Sequence, residues 1–225
     1  LSSPDAGPEL LAPVLAAVRA LGRHPAGDRA VILIDGPSGA GKSTLADAVV
    51  AAWPGPVAPT LVRLDDIYPG WEGLDAAIDQ IGSRVLLPRR AGGPAAWQRH
   101  DWATGSPAEW HTVAADRPLI VEGCGALAHA HAALSDVRVW LDADDGIRKQ
   151  RALDRDGGVF EAHWDQWQQD WESYRERERP EQWATVRLTA TPGRAATGQP
   201  TSGQPTSGQS TAGQSAAGPK PEAAQ

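Results

Sequence analysis

The chain has 225 residues, enough for one sizeable domain, and a net charge of −7 that disfavours a broad nucleic-acid-binding face. Its single cysteine, Cys124, excludes an internal disulfide and makes a reducing cytoplasm the expected location. No apolar run approaches the ~20 residues needed to span a bilayer, so neither nucleic acid nor membrane is an expected partner.

Residues 8–22 (PELLAPVLAAVRALG) place Leu10, Leu11, Val14, Leu15, Val18 and Leu21 on one helical face, with Gly22 as a stop. The spacing predicts an N-terminal helix, within 1–29, packed on the core. AVILIDG, 30–36, is a continuous apolar run ending in Asp-Gly, the pattern of a strand buried on both faces. KSTLADAVVAAW, 42–53, continues with helical spacing. Further strands are expected over 60–64, 118–123 and 137–143, with a weaker one over 184–190. Helical patterns lie between most of them, which predicts an α/β fold: a parallel sheet with helices on both faces, within a domain covering 30–192. From Gly193 to Gln225 the chain repeats pentads such as TSGQP and carries no large apolar residue. Such a segment cannot offset its ordering entropy, so 193–225 is predicted to be a disordered, low-complexity tail.

GPSGAGKST, 36–44, matches G-x-x-x-x-G-K-[ST] between a predicted strand and a predicted helix, the context that gives this motif its meaning. Gly36, Gly39 and Gly41, with Pro37, Ser38 and Ala40 between them, let the backbone curl so that its N–H groups face phosphate oxygens. The helix that opens at Lys42, Ser43 and Thr44 adds its positive end. Lys42 supplies a charge for the β- and γ-phosphates, and the Ser43 hydroxyl is suited to ligate Mg²⁺. These residues point to ATP with Mg²⁺.

The phosphate loop marks the carboxyl edge of the sheet, where α/β folds bind ligands. Asp65 and Asp66 close the second predicted strand on that edge. Alternation along a strand turns successive side chains to opposite faces, so one faces the γ-phosphate and the acceptor while the other caps the turn before Pro69. Glu122 closes the third strand on the same edge, where a carboxylate can hold Mg²⁺ directly or through water; capping the following helix is the alternative role. No N-K-x-D guanine reader occurs, the acidic third strand ends in Glu-Gly rather than Asp-Glu, and no L-S-G-G-Q signature is present. What remains is the class of small-molecule kinases. These use an Asp to accept a hydroxyl proton and an Arg-bearing lid. A lid is predicted over 142–157, where Arg148, Arg151 and Arg155 recur on one helical face.

With these motifs in place, the sequence resembles the uridine kinase-like branch of the P-loop nucleoside kinases over residues 30–190. The phosphate loop, LDDIY (64–68), HDWATG (100–105), IVEG (120–123) and RALDRDG (151–157) carry the resemblance. Two departures stand out: Ile67 replaces an aromatic residue, and His100 precedes Asp101 where the family has another aromatic. The resemblance implies that Asp65 accepts the proton and that the lid, with Arg151 and Arg155, covers the transferring group; the shared helical face adds Arg148 to the expected nucleotide site. It also implies an acceptor site involving Asp66, Tyr68, Trp71, Arg99, His100, Asp101 and Trp102, most of them within the segment 71–117. The acceptor is then a small hydroxyl-bearing, nucleoside-like metabolite. Two alternatives stay open: a nucleoside monophosphate kinase, with Arg89, Arg90 or Arg99 on the acceptor phosphate, and a nucleotide-binding regulator that turns over ATP slowly or not at all. Phe160, Trp164, Trp167, Trp171 and Tyr174 form a helical stripe, read as packing rather than a ligand box, and Cys124 is read as a small buried filler.

Overall fold

The computed structural model describes residues 7–22, 29–155 and 159–191. The predicted tail 193–225 lies outside these residues, as do positions 156–157 of the predicted lid and the side chain of Arg155. Five parallel strands form the central sheet: β1 (Val31–Asp35), β2 (Thr60–Arg63), β5 (Leu119–Glu122), β6 (Val137–Ala143) and β7 (Val186–Ala190), in the spatial order β2-β5-β1-β6-β7. Every residue of β1 is buried. Alternation then divides its side chains between two layers: Val31 and Leu33 join one core, Ile32 and Ile34 the other. That explains why the strand is an unbroken apolar run. Burying a side chain such as Ile34, 0 % exposed, stabilises the fold by about 1.5–3 kcal/mol.

On one face lie α1 (Pro8–Ala20) and α2 (Lys42–Ala51). Helix α1 starts with a proline in its first turn and buries Val14, Leu15 and Val18 in the core that also holds Leu45 and Val49 of α2. The opposite face is covered by α3 (Leu74–Ile81), by α7 (Trp164–Glu178) with its buried stripe Trp164, Trp167, Trp171 and Tyr174, and by part of a β-hairpin. Short helices α4 (Leu87–Arg90), α5 (His129–Ala132) and α8 (Pro180–Trp183) make connections, and α6 (Asp145–Arg155) follows β6.

Two local features differ from the sequence reading. The strand expected over 60–64 ends at Arg63, and Leu64–Asp66 form a 3₁₀ turn in which the Ile67 and Tyr68 N–H groups donate to the Leu64 carbonyl. Asp65 and Asp66 therefore sit on a turn rather than a strand, and pleat alternation does not govern where they point. The segment 71–117, read only as an acceptor region, folds as α3, a π-helical turn, α4 and an antiparallel hairpin of β3 (Ala95–Asp101) and β4 (Ser106–Val113). Ala95, Trp97 and Val113 face the core, while most of β4 is exposed, so its alternation is weak in the sequence.

Candidate active site

The loop 36–41 joins β1 to α2 and is closely packed against its neighbours. Gly36 has φ +148°, and a Cβ there would lie 1.9 Å from the Leu141 carbonyl oxygen; at Gly39, φ +79°, a Cβ would lie 1.9 Å from the Arg148 carbonyl oxygen. Only glycine fits both the conformation and the space. The second contact also shows that α6 is seated against the loop. Gly41, in the left-handed region, caps α2, which opens at Lys42.

Asp35, at the end of β1 and 0 % exposed, fixes the frame of this loop. Its carboxylate accepts from the N–H groups of Gly36 (2.6 Å), Gly125 (3.2 Å) and Leu127 (2.8 Å) and from the Tyr174 hydroxyl (2.6 Å). Burial raises its pKa, and these hydrogen bonds oppose the shift. The sequence reading missed Asp35: an Asp before a glycine reads as a turn, and Tyr174 is far away along the chain.

Lys42 is also buried. Its Nζ donates to the Pro37 carbonyl at 2.9 Å and lies 3.5 Å from Cys124 Sγ. Burial alone would lower its pKa, but Cys124, Glu122, Asp65 and Asp35 outweigh that and raise it, so the lysine is a permanent cation under the loop. Cys124 is more than a filler. Its sulfur touches Lys42 Nζ and Ser38 Oγ at 3.5 Å and the Gly36 carbonyl at 3.3 Å, which ties the β5 end to the loop.

Glu122 ends β5 and is 2 % exposed. Burial, followed by the nearby Asp65 charge, pushes its pKa up to about 7, against Lys42, a Ser43 hydrogen bond and Arg63. Its Oε1 makes no hydrogen bond, although Arg63 Nε stands 3.5 Å away. An orphaned carboxylate oxygen beside the Ser43 hydroxyl fits a divalent cation. Among the described residues no cluster of three or more His, Cys, Asp or Glu can hold a metal alone. Mg²⁺ is suited to such a sparse site, because it keeps water and takes further ligands from phosphates.

Two cavities meet at this edge. The loop-side cavity, about 610 Å³, is lined by Ser38, Gly39, Gly41, Lys42, Ser43, Thr44, Asp65, Glu122, Cys124, Arg151, Ala152 and Asp154. The second, about 510 Å³, is lined by Ser38, Ser43, Asp65, Asp66, Tyr68, Trp71, Trp102, Val159, Phe160 and Trp167. Ser38, Ser43 and Asp65 line both. The aromatic walls of the second cavity brace one another. Trp71 stacks on Phe160 (5.0 Å) and His163 (4.7 Å) and tilts against Trp102 (4.9 Å), while Tyr68 meets Trp167 edge-on (4.9 Å). Polar ends are satisfied: Tyr68 donates to the Cys124 carbonyl (2.8 Å), Trp102 Nε1 to the Asp65 carbonyl (2.8 Å) and Trp167 Nε1 to Ser38 Oγ (2.8 Å).

Of the residues expected from sequence, Asp65, Asp66, Tyr68, Trp71 and Trp102 come together around the second cavity, and Lys42, Ser43, Glu122 and Arg151 around the first. Arg99, His100 and Asp101 line neither. Arg99 pairs with Glu109 (2.7 Å), His100 lies buried edge-on to Trp102, and Asp101 accepts from the Ala103 N–H (3.0 Å) in the hairpin turn. Their part is to hold the turn that presents Trp102. Arg148 also leaves the group. It is 5 % exposed, bonded to Asp145 (2.7 Å) and Gln168 (2.9 Å), with its guanidinium over Trp164 and Trp171. The aromatic stripe packs as expected, yet Phe160 and Trp167 also wall the second cavity, a double role that helical spacing alone does not reveal.

A five-stranded parallel sheet, a glycine-rich loop after β1, carboxylates in the turn after β2 and at the end of β5, and an arginine-bearing helix against the loop define a P-loop α/β fold. No protein-family model and no curated protein matches the chain. Among solved structures, it is similar to a protein from Bacillus stearothermophilus assigned as a possible uridine kinase, with a TM-score of 0.57 at 18 % identity, covering 80 % of this chain and 97 % of that one. It is also similar to a protein from Silicibacter sp. TM1040 assigned as a fructose transport system kinase, with a TM-score of 0.51 at 19 % identity, covering 80 % and 98 %. These likenesses establish the fold, a parallel α/β sheet with a glycine-rich loop that both proteins share. No helix among the described residues is long and apolar enough to cross a membrane.

Proposed function

We propose that the chain is an ATP-dependent phosphotransferase that moves the γ-phosphoryl group onto a hydroxyl of a small metabolite. The observation that carries this reading is the position of Asp65, which lines both the loop-side cavity and the aromatic cavity. A nucleotide-binding regulator needs no carboxylate between two cavities. A transferase does, because the hydroxyl must lose its proton as it attacks.

In this reading the backbone of 36–44 and the Lys42 ammonium hold the β- and γ-phosphates, and Arg151 faces them across the loop-side cavity. Arg155 follows on the same helix and is proposed to cover the transferring group with it. A bound Mg²⁺, held by Ser43 and Glu122, would neutralise phosphate charge. The acceptor oxygen forms its bond to the γ-phosphorus, the bond from that phosphorus to the β–γ bridging oxygen breaks, and the hydroxyl proton passes to the Asp65 carboxylate. Loop and lysine orient the donor while the aromatic cavity orients the acceptor, so the main gain is positioning.

A nucleoside-like acceptor suits the stacked aromatic walls. A phosphorylated acceptor suits them poorly. Arg89 is buried and donates to the backbone carbonyls of Ala114, Arg29 and Arg117, Arg99 is paired with Glu109, and none of Arg89, Arg90 and Arg99 lines the cavity. ADP release from ATP with Mg²⁺, measured across nucleosides, nucleoside monophosphates and simple alcohols, tests the proposal. Acceptor-dependent release is expected. Slow release unaffected by every alcohol would favour the regulator.

A further inference from the structure

We propose that the acceptor is an alcohol that carries a protonated amine on an apolar or aromatic body, with Asp66 and the aromatic walls as its cation site. This rests on the phosphotransferase reading and narrows its substrate class.

The argument starts from what the cavity holds. Five of its ten lining residues are Tyr68, Trp71, Trp102, Phe160 and Trp167, and two are the carboxylates Asp65 and Asp66. Among the described residues no lysine, arginine or histidine lines it. Nearby cations are engaged elsewhere: Arg63 bonds Asp47 at 2.5 Å and Arg99 bonds Glu109 at 2.7 Å. The His111 ring stacks on Trp97 and reaches Glu109. Asp66 makes no hydrogen bond or ion pair among the described residues. It lies exposed on the cavity wall, and partial burial raises its pKa from the ordinary aspartate value, with the Arg63 charge opposing.

If Asp65 accepts the hydroxyl proton, Asp66 is a second negative group with nothing in the acceptor mechanism to do. A neutral acceptor would cover this carboxylate without supplying a partner charge, an unfavourable arrangement. An anionic acceptor would add repulsion. A cation removes the cost and gains the ring faces as well, since aromatic walls attract ammonium groups in desolvated sites. The volume, about 510 Å³, admits a body of nucleoside size together with its amine.

Three probes with one body separate the possibilities: 2-amino-1-phenylethanol, 1-phenylethane-1,2-diol and mandelate, which are cationic, neutral and anionic alcohols. Their dissociation constants would be measured by calorimetry on the full chain with Mg²⁺ and a non-hydrolysable ATP analogue. The amine should bind about tenfold or more tighter than the diol, with mandelate weakest. Asp66→Asn should bring amine and diol within about twofold, and Trp71→Leu should weaken the amine by a similar factor in case the first variant alters the turn. Equal affinity for amine and diol, tighter binding of a neutral nucleoside, indifference to Asp66→Asn, or no binding by any of the three overturns the proposal. ADP release separates the two readings. Asp66-dependent amine binding with no alcohol ever phosphorylated would sink the phosphotransferase and leave the cation site. Rapid phosphorylation of the diol at equal affinity would do the reverse.

Discussion

The two cavities at the sheet edge are built in opposite ways. The loop-side cavity draws half of its lining residues from one short stretch, Ser38–Thr44, and completes its wall with the turn after β2, the end of β5 and α6. The aromatic cavity takes residues from the 3₁₀ turn after β2, the turn at Trp71, the hairpin turn at Trp102, the 3₁₀ turn at Phe160 and helix α7. A phosphate needs dense donors at fixed positions, which a tight glycine loop supplies by itself. An acceptor body needs a shaped apolar surface, which takes several elements brought from afar. The first kind of site survives as a sequence motif, and the second can change with each element that contributes to it.

If the loop side binds the donor, its lysine should show the largest effect. Lys42→Ala should lower turnover by about 10²–10³-fold and weaken ATP binding, as expected for removal of one preorganised charge from a phosphoryl-transfer site. Calorimetry with ATP and steady-state ADP release check this, and wild-type ATP affinity in the variant would break the contrast between the cavities.

Glu122 sharpens the comparison through pH. Its folded pKa of about 7 lies above the ordinary glutamate value of 4.5, so the folded state holds a proton that the unfolded state releases. Stability from this group is therefore full below pH ~4.5 and falls as pH rises toward 7, by about 3 kcal/mol if the whole shift is expressed. Glu122→Gln should lack this component. The difference between wild type and variant in denaturant midpoint, followed from pH 4.5 to 7 without nucleotide, is the measurement. A constant difference would show that Glu122 is already ionised throughout that range.

The smallest effect should come from Trp167, one of the side chains that bridge the two sides. Trp167 walls the aromatic cavity and donates to Ser38 Oγ of the loop. Trp167→Phe keeps the wall and removes one hydrogen bond, worth about 0.5–1.5 kcal/mol. The KM for ATP and for the acceptor should each rise by a few-fold, measured with both substrates varied. An effect confined to the acceptor would mean that the contact does not couple the sites.

The same contrast explains what could be read in the sequence. The central strands β1 and β5 were legible because they are buried on both faces, while the partly exposed β7 showed a weaker pattern, and Gly36–Thr44 was legible because its residues are adjacent. Asp65 and Asp66 stood out by their position after β2, but their placement was argued from strand alternation, and the chain turns at Leu64 instead. The hairpin was missed because β4 is mostly exposed and carries little apolar pattern. Asp35 and Phe160 were not assigned to the site because their functional neighbours are distant in sequence: Asp35 meets Tyr174, and Phe160 meets Trp71. Arg148 was placed with the nucleotide on periodicity. Periodicity fixes the face of a helix but not which neighbour faces it, and here Trp164, Trp171 and Gln168 of α7 do.

The central claim is that Asp65 serves chemistry between the cavities, and Asp65→Asn against Asp66→Asn tests it most directly. With any acceptor that supports ADP release, kcat of Asp65→Asn should fall by about 10²–10⁴-fold while its KM for ATP changes little, because the amide keeps the shape but cannot take the proton. Asp66→Asn should act mainly on acceptor KM. Undiminished kcat in Asp65→Asn, or a loss of that size in Asp66→Asn alone, would contradict the account.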